Sequence, residues 1–143
     1  MKKKSETLVY IAGPYRAPTL HEIQCNIDEA REVAVWVAQQ GFFPVCPHLL
    51  EGLCMHDINQ KDNGQFWVEA TLELMRRCDA VMIAGDWHHS AGTRGEMIEA
   101  VRLGIPVYQE TGLDGGLLRL RELDENGGLV VTRWEEVKEI GDV

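Results

Sequence analysis

Short apolar runs alternate with stretches of helical spacing along most of the chain. Apolar runs rich in β-formers predict strands at residues 7–12, 42–46, 80–84, 105–108 and 129–131. Apolar residues that recur every three or four positions predict helices over residues 23–37, 66–77 and 93–103. Shorter helices are predicted around residues 117–123 and over 134–140, and residues 49–63 are predicted to form a long loop.

Strands that alternate with helices predict parallel pairing, because right-handed crossovers place helices on both faces of one sheet. We therefore predict a single α/β domain over residues 1–143 with a mostly parallel five-stranded sheet. In such sheets, ligands bind beyond the carboxyl ends of the strands, near the switch in strand order. This rule selects three loops as candidate ligand sites, at residues 13–19, 47–63 and 85–92.

Composition narrows the classes of partner. The 143 residues are 45% hydrophobic and 26% charged, which is typical of a globular protein. A net charge of -9 argues against binding to nucleic acid polymers but allows a small anionic ligand where cations converge. No apolar stretch is long enough for a signal peptide or a membrane span, and the four cysteines form no C-x-x-C pair. A cytoplasmic protein with reduced thiols is expected.

A metal site can be imagined from His48, His56 and Asp57. Their scattered spacing does not match a metal-binding motif, and surface or hydrogen-bonding roles are favoured for these side chains. We therefore predict no metal and no other cofactor.

The loop that follows the strand at residues 80–84 leads directly into a predicted helix and carries Gly92, Gly95 and Glu96. Backbone N–H groups at a helix start, with little side-chain bulk around them, can hold an anion or let a ligand approach the main chain. A carboxylate in the first helical turn also interacts with the positive end of the helix dipole, which favours its ionised, nucleophilic form. Glu96 is therefore the first candidate catalytic residue.

Glu96 also has a purely structural interpretation. Thr93-Arg-Gly-Glu96 matches the capping box, in which the glutamate side chain only bonds the backbone of the threonine. The pattern alone favours capping, whereas the location in a ligand-facing loop favours catalysis.

Other residues of the candidate loops are suited to substrate binding. Tyr15 and Arg16 follow the Gly13-Pro14 turn and offer a ring and a cation to a base or a phosphate, although Arg16 is equally suited to a surface salt bridge. Trp87 lies outside any core pattern, so that it is predicted to stack on a base or to pack at a subunit contact.

Four segments in this order resemble the nucleoside 2-deoxyribosyltransferase-like superfamily, which includes nucleoside 5'-monophosphate N-glycosidases and the uncharacterised DUF4406 group. The resemblance covers roughly residues 7–108. Its segments are Tyr10-Ile-Ala-Gly-Pro14, Cys78-Asp-Ala-Val-Met-Ile83, Ser90-x-Gly92-x-x-x-Glu96-x-x-x-Ala100 and Leu103-Gly-Ile-Pro-Val107.

The resemblance implies a flavodoxin-like three-layer sandwich that cleaves an N-glycosidic bond, with Glu96 as the nucleophile. The substrate-binding residues would be those of the two glycine-containing loops, including Gly13, Pro14, Tyr15, Arg16, Trp87, Ser90, Gly92 and Thr93. Serine at position 90 implies a nucleoside 5'-monophosphate, because a hydroxyl can donate to a phosphate that a carboxylate would repel. A simple capping role for Ser90 is equally open. Relatives also imply a homo-oligomer, a dimer or larger.

One position departs from the superfamily pattern. Many relatives carry an aspartate that helps to position the glutamate at the place of Thr71, and here Asp86 or Glu69 would have to replace it. The departure keeps open a second function, a nucleotide-binding or sensing module without turnover. A third, a phosphoribohydrolase suggested by Gly92-Thr-Arg-Gly-Glu96, is disfavoured because that group's Pro-Gly-Gly start is missing.

Overall fold

The computed structural model of the chain describes residues 2–50, 64–111, 116–129 and 134–141. Within them, one sheet contains β1 (Leu8–Ala12), β2 (Phe43–Val45), β3 (Ala80–Ile83), β4 (Val107–Glu110), β5 (Leu117–Leu120) and β6 (Trp134–Val137). The α-helices of this described part are α1 (Leu20–Gln39), α2 (Gln65–Arg76) and α3 (Ala91–Arg102). The α/β class, the first four predicted strands and the three longer helices are thus confirmed.

The strands lie in the order β2-β1-β3-β4-β5-β6. β1 pairs in parallel with β2 and β3, and β3 pairs in parallel with β4. β5 and β6 run antiparallel to their neighbours. The sheet is therefore mixed and six-stranded over the described residues, and the predicted mostly parallel five-stranded sheet is wrong.

The two short predicted helices near the end of the chain are wrong, because both segments contain strands. In β5, Leu117 packs into the apolar cluster on one face of the sheet and Leu120 into the cluster on the other. In β6, Val137 and Trp134 divide between the same two clusters. Residues three apart on a strand point to opposite faces, so a strand covered on both faces has the same apolar spacing as one helical turn.

Two other predictions fall partly outside the described residues. Of the strand predicted at 129–131, Leu129 lies outside any strand, and residues 130 and 131 are not described. Of the loop predicted at 49–63, the first two residues belong to a 3-10 turn, Pro47–Leu50, and residues 51–63 are not described.

Helices cover both faces of the sheet. Ala30, Ala34 and Val37 of α1 pack with Val9 and Ile11 on one face. On the other face, the residues that pack together are Met75 of α2, Met97 of α3, and Tyr10 and Ala12 of β1. The alternating residues of β1 thus reach two cores. In the described parts of the chain, no helix combines the length and the apolar character needed to cross a membrane.

The switch in strand order lies between β1 and β3. From β1 the chain passes to α1 on one face, whereas from β3 it passes to α3 on the opposite face. The two connections diverge, so a crevice opens at the carboxyl ends of these strands. This crevice is where the predicted loops at residues 13–19 and 85–92 meet.

Gly13 keeps the two sides of the switch point close together. A methyl group built on Gly13 would lie 2.5 Å from the carbonyl oxygen of Ala84, the residue after β3. We expect Gly13→Ala to lower the free energy of unfolding by about 1–3 kcal/mol, because two backbone segments would have to separate. Urea denaturation measures this difference.

Gly95→Ala is the matched control for this prediction. Gly95 lies inside α3, and a methyl group there meets no atom within 4 Å. The added alanine should stabilise the helix by about 0.5–1 kcal/mol. Equal effects of the two substitutions would show that the Gly13 backbone is not closely packed.

Candidate functional site

A cleft of about 1030 Å³ lies at the carboxyl ends of β1 and β3. Residues of α1 line one side and residues of α2 and α3 line the other. The predicted site residues in its lining are Gly13, Pro14, Tyr15, Arg16, Asp86, Ser90, Gly92, Thr93 and Glu96. The two glycine-containing loops, which are far apart in the sequence, therefore contribute to one cleft.

Glu96 lies in the second turn of α3, because the helix begins two residues earlier than the sequence predicts. Ser90 is the N-cap, and its hydroxyl accepts a hydrogen bond from the Thr93 amide at 3.2 Å. Thr93 is therefore inside the helix, where it cannot act as the N-cap of a capping box. The capping interpretation is wrong for Glu96 and confirmed for Ser90.

The Glu96 carboxyl group is held in a mostly dry environment. The Tyr10 hydroxyl hydrogen bonds with it, and its Oε2 atom is buried without a hydrogen-bond partner. Burial raises the pKa of Glu96 to about 7, although the Tyr10 hydrogen bond acts in the opposite direction. The expectation that a helix start favours the ionised form is therefore wrong. Desolvation dominates, and Glu96 is poised between its neutral and charged forms near neutral pH.

Thr71 belongs to the same cluster. Its hydroxyl interacts with the Tyr10 hydroxyl and donates to the Trp67 carbonyl at 2.7 Å. Burial and the neighbouring Glu96 carboxyl raise the pKa of Tyr10, so that the phenol keeps its proton and remains a donor. Thr71 is therefore connected to Glu96 through Tyr10.

The first loop is anchored from two directions. The Asn26 side chain of α1 donates to the Tyr15 carbonyl at 3.1 Å. On the other side, His48 Nε2 lies 3.1 Å from the Gly13 carbonyl oxygen and 2.9 Å from that of Pro14. The hydrogen-bonding role favoured for His48 is thus confirmed, while His56 and Asp57 lie outside the described residues.

Asp86 lies at the edge of the cleft and is exposed. Its carboxylate accepts from the His88 amide at 3.1 Å and lies 3.2 Å from His88 Nδ1. Glu69, the other proposed replacement for the missing acid, is bonded to Gln65 and is not among the cleft residues. Asp86 is therefore better placed than Glu69 to supply a second carboxylate to the cleft.

Trp87 is not part of the described cleft lining. Its side chain is buried, with the ring stacked on His88 at a centroid distance of 3.8 Å and Nε1 donating to Gln109. The prediction that Trp87 stacks on a base does not fit this position, because the indole belongs to the core beneath the loop.

Charges of both signs surround the cleft. Its lining includes the cationic residues Arg16 and Arg102 and, besides Glu96, the acidic residues Glu29, Asp86 and Glu99. Among the residues that the structure describes, no group of three His, Cys, Asp or Glu side chains is arranged to hold a metal ion. A ligand in the cleft thus has both cationic and acidic side chains within its walls.

Unsatisfied buried polar atoms concentrate around this cleft. In the described parts of the chain, the buried side-chain nitrogen and oxygen atoms without a partner are His48 Nδ1, Trp67 Nε1, Glu96 Oε2 and Arg119 Nε. All but the last belong to residues that line the cleft. Because buried polar groups in proteins nearly always have partners, this concentration indicates a site that a polar ligand or ordered water completes.

Tyr10, His48, Asn26 and Trp67 were not predicted as site residues. The hydroxyl of Tyr10 in an otherwise aliphatic strand was the one signal that could have identified it. His48 lies in the candidate ligand loop at residues 47–63, although it was not singled out as a site residue. Asn26 and Trp67 are brought to the cleft only by the fold.

A family model described as a domain of unknown function, DUF7768, matches residues 7–110. The match includes β1 to β4, α1 to α3 and every cleft residue named above. No curated protein and no solved structure matches the chain.

Proposed function

We propose that this chain, which belongs to the DUF7768 family, is an enzyme that cleaves the N-glycosidic bond of a nucleoside or nucleoside 5'-monophosphate. Glu96 is the nucleophile in this proposal. The base is released to water or exchanged for another base.

The observation that carries the proposal is the state of Glu96. It is a carboxyl group in a cleft, with one hydrogen-bond donor, Tyr10, and a buried Oε2 without a partner. A carboxylate that burial has made more basic is a stronger nucleophile than one in water, and at pH 7 about half of it is ionised. The raised pKa of about 7 fits a catalytic group better than a structural one.

The chemistry divides a difficult displacement into two steps. The ionised Glu96 oxygen forms a bond to C1' of the sugar as the bond to the base nitrogen breaks, and the electron pair leaves with the base. Water, or another base, then attacks C1' and displaces the carboxylate, with net retention of configuration. Hydrogen bonds to the departing base, or a proton from solvent or a cleft residue, must stabilise it.

The preference for a 5'-monophosphate is supported by the start of α3. Ser90 and Gly92 lie at this helix terminus in the cleft, and no atom lies within 4 Å of where a Gly92 side chain would be. The positive end of the helix dipole and an accessible backbone suit a phosphate, and Arg16 adds a cation in the same cleft.

The resemblance to the nucleoside 2-deoxyribosyltransferase-like superfamily supports the same function. We propose a flavodoxin-like fold on the order β2-β1-β3-β4-β5, which is the flavodoxin order with its ligand site at the β1/β3 switch. The antiparallel β5 is a departure from that fold. A homo-oligomer in the cytoplasm remains part of this proposal.

The test is incubation of the protein with ribo- and deoxyribonucleosides and their 5'-monophosphates, with and without an added free base. Chromatography separates released base from exchanged product. Release above that of the Glu96→Gln variant supports the enzyme, and exchange identifies a transferase. Equal background release by both proteins across the panel would refute the proposal.

Tyr10→Phe should shift the pH dependence of the reaction. A nucleophilic Glu96 makes the rate rise with pH through about 7 and then level off. Because Tyr10 lowers the pKa of Glu96, its loss should move this rise to higher pH and slow the reaction about tenfold at pH 7. Initial rates between pH 5 and about 9 measure the shift.

Tyr108→Phe provides the control. Tyr108 is also a buried strand tyrosine, but its hydroxyl accepts from the Gly141 amide at 3.0 Å, away from the cleft. This variant should keep the wild-type midpoint. A rate that falls with pH through 7 would instead make Glu96 a general acid.

The second candidate is a nucleotide-binding module without turnover. Thr71 occupies the position where the superfamily that the chain resembles carries an acid, so no carboxylate is available there. The Thr71 hydroxyl instead donates a hydrogen bond to its own helix. In that case nucleotides should raise the melting temperature but remain intact. The absence of a thermal shift with every nucleotide would exclude this candidate.

A further inference from the structure

We propose that His48 determines which nucleobase the cleft accepts, because its Nδ1 atom accepts a hydrogen bond from an exocyclic amino group of the base. The proposal rests on the proposed function in so far as the ligand is a nucleoside or nucleotide. It adds a specificity-determining residue that contacts the first loop and lines the same cleft as Glu96.

The contacts of Nε2 define the tautomer of His48. Nε2 lies 3.1 Å from the Gly13 carbonyl oxygen and 2.9 Å from the Pro14 carbonyl oxygen. Carbonyl oxygens only accept hydrogen bonds, so Nε2 must carry the hydrogen. A neutral imidazole has one such hydrogen, which leaves Nδ1 with a free lone pair.

The imidazole is neutral because it is buried. The side chain is 6% exposed, and burial holds the pKa of His48 below its ordinary value. Its Nδ1 is buried and without a hydrogen-bond partner. His48 therefore holds an unused acceptor in the wall of the cleft, covered by neighbouring groups. Leaving such an acceptor unpaired has a cost, which a ligand donor removes when it displaces the cover and pairs with Nδ1.

The surroundings of this acceptor suit a nucleobase. His48 lines the same cleft as Glu96, and the Tyr15 ring lies edge-on to the imidazole with 6.0 Å between the ring centroids. Proteins commonly bind unpaired bases with an aromatic side chain against the ring and hydrogen bonds to the base edge. An acceptor in that arrangement favours the amino groups of adenine and cytosine over the carbonyl groups of hypoxanthine and uracil.

Two isosteric substitutions separate the two functions of the ring. In His48→Gln, the amide nitrogen takes the place of Nε2, so the anchor to the first loop is kept and the Nδ1 acceptor is lost. In His48→Asn, the amide oxygen takes the place of Nδ1, so the acceptor is kept and the anchor is lost. Melting temperatures of both variants without ligand show whether each remains folded.

The experiment measures dissociation constants by calorimetry in a Glu96→Gln background, where turnover does not consume the ligand. The probes are two matched pairs, adenosine and inosine 5'-monophosphate, and deoxycytidine and deoxyuridine 5'-monophosphate. With His48 present, the amino member of at least one pair should bind about tenfold more tightly or better. His48→Gln should remove this preference by weakening the amino compound alone, and His48→Asn should retain part of it.

The outcomes are distinguishable from those of the glycosidase test. Binding with no amino preference, or a preference that His48→Gln leaves unchanged, overturns the role of His48 and leaves the glycosidase proposal intact. An amino preference that depends on His48, with no base release that depends on Glu96, refutes only the glycosidase. If none of the four nucleotides binds, the role of His48 is overturned, and the glycosidase proposal is decided separately by base release across its own panel.

Discussion

Replacing Glu96 with Gln is expected to lower the rate of the proposed base release by at least about 10³-fold, which is the order of loss seen when a catalytic nucleophile is removed. Gln keeps the size of the side chain and can still accept a hydrogen bond from Tyr10. It cannot form the ester with C1', because an amide oxygen is a poor nucleophile. The Michaelis constant should change little, since the cleft keeps its shape. Steady-state kinetics on the best substrate of the panel measures both parameters.

Glu99→Gln is the matched control for this loss. Glu99 lines the same cleft three residues after Glu96 in α3, but its carboxylate is paired with Arg76 at 2.9 Å. We expect its rate to remain within about tenfold of the wild type, since a partly exposed ion pair contributes little. A Glu96→Gln variant as active as Glu99→Gln would exclude Glu96 as the nucleophile.

Glu96→Gln should also stabilise the protein at alkaline pH. Between the ordinary pKa of 4.5 and the folded value of about 7, the folded state binds more protons at Glu96 than the unfolded state does. The free energy of unfolding therefore falls as pH rises through this window, by up to about 3 kcal/mol, and stays low above it. Gln carries no charge and removes that fall. Glu96→Gln should thus gain stability relative to the wild type from pH 4 to pH 8.

Urea denaturation of both proteins across this pH range measures the effect. The pH dependence of the difference is the decisive quantity, because the buried amide of Gln adds a contribution that does not vary with pH. Glu99→Gln keeps Glu96 and should follow the wild-type curve through the same window. A constant difference between wild type and Glu96→Gln from pH 4 to pH 8 would show that Glu96 is not strained by burial.

The expected loss of rate and the expected gain in stability of Glu96→Gln have one cause. The desolvation that raises the pKa of Glu96 destabilises the folded state when the group ionises, and it also leaves a reactive carboxylate in the cleft. Sites of this kind commonly trade stability for function.

The local pattern was sufficient for β1, β3 and the three long helices. Each is marked by a run of apolar residues with a single period, and all but α2 also by a Gly shortly after the end, such as Gly13 after β1 and Gly104 after α3. The pattern failed at Leu117 and Trp134, where apolar residues three positions apart fit a helical turn and a strand covered on both faces equally well. Which of these forms depends on whether an edge of a sheet, here β4, is available for pairing.

The candidate site shows the same division. Glu96 and the first loop were predicted from residue type and from their place after strands, because the carboxyl ends of parallel strands meet at one edge of a sheet. Ser90 was predicted from the resemblance to the superfamily. The start of α3 at Ala91, rather than after Thr93, was decided by the Ser90 cap, and it removed the capping role that the sequence allowed for Glu96.

The amino-acid sequence alone determined the α/β class, the parallel part of the sheet and the carboxyl group at the centre of the cleft. Those features depend on periodicity and on the order of elements, which are local properties of the chain. Only the tertiary structure decided the protonation of Glu96, its contact with Tyr10 and the unused acceptor of His48. A pKa and an unpaired hydrogen-bonding atom depend on what surrounds a group in space, and residues 10, 48, 71 and 96 become neighbours of one cleft only when the chain folds.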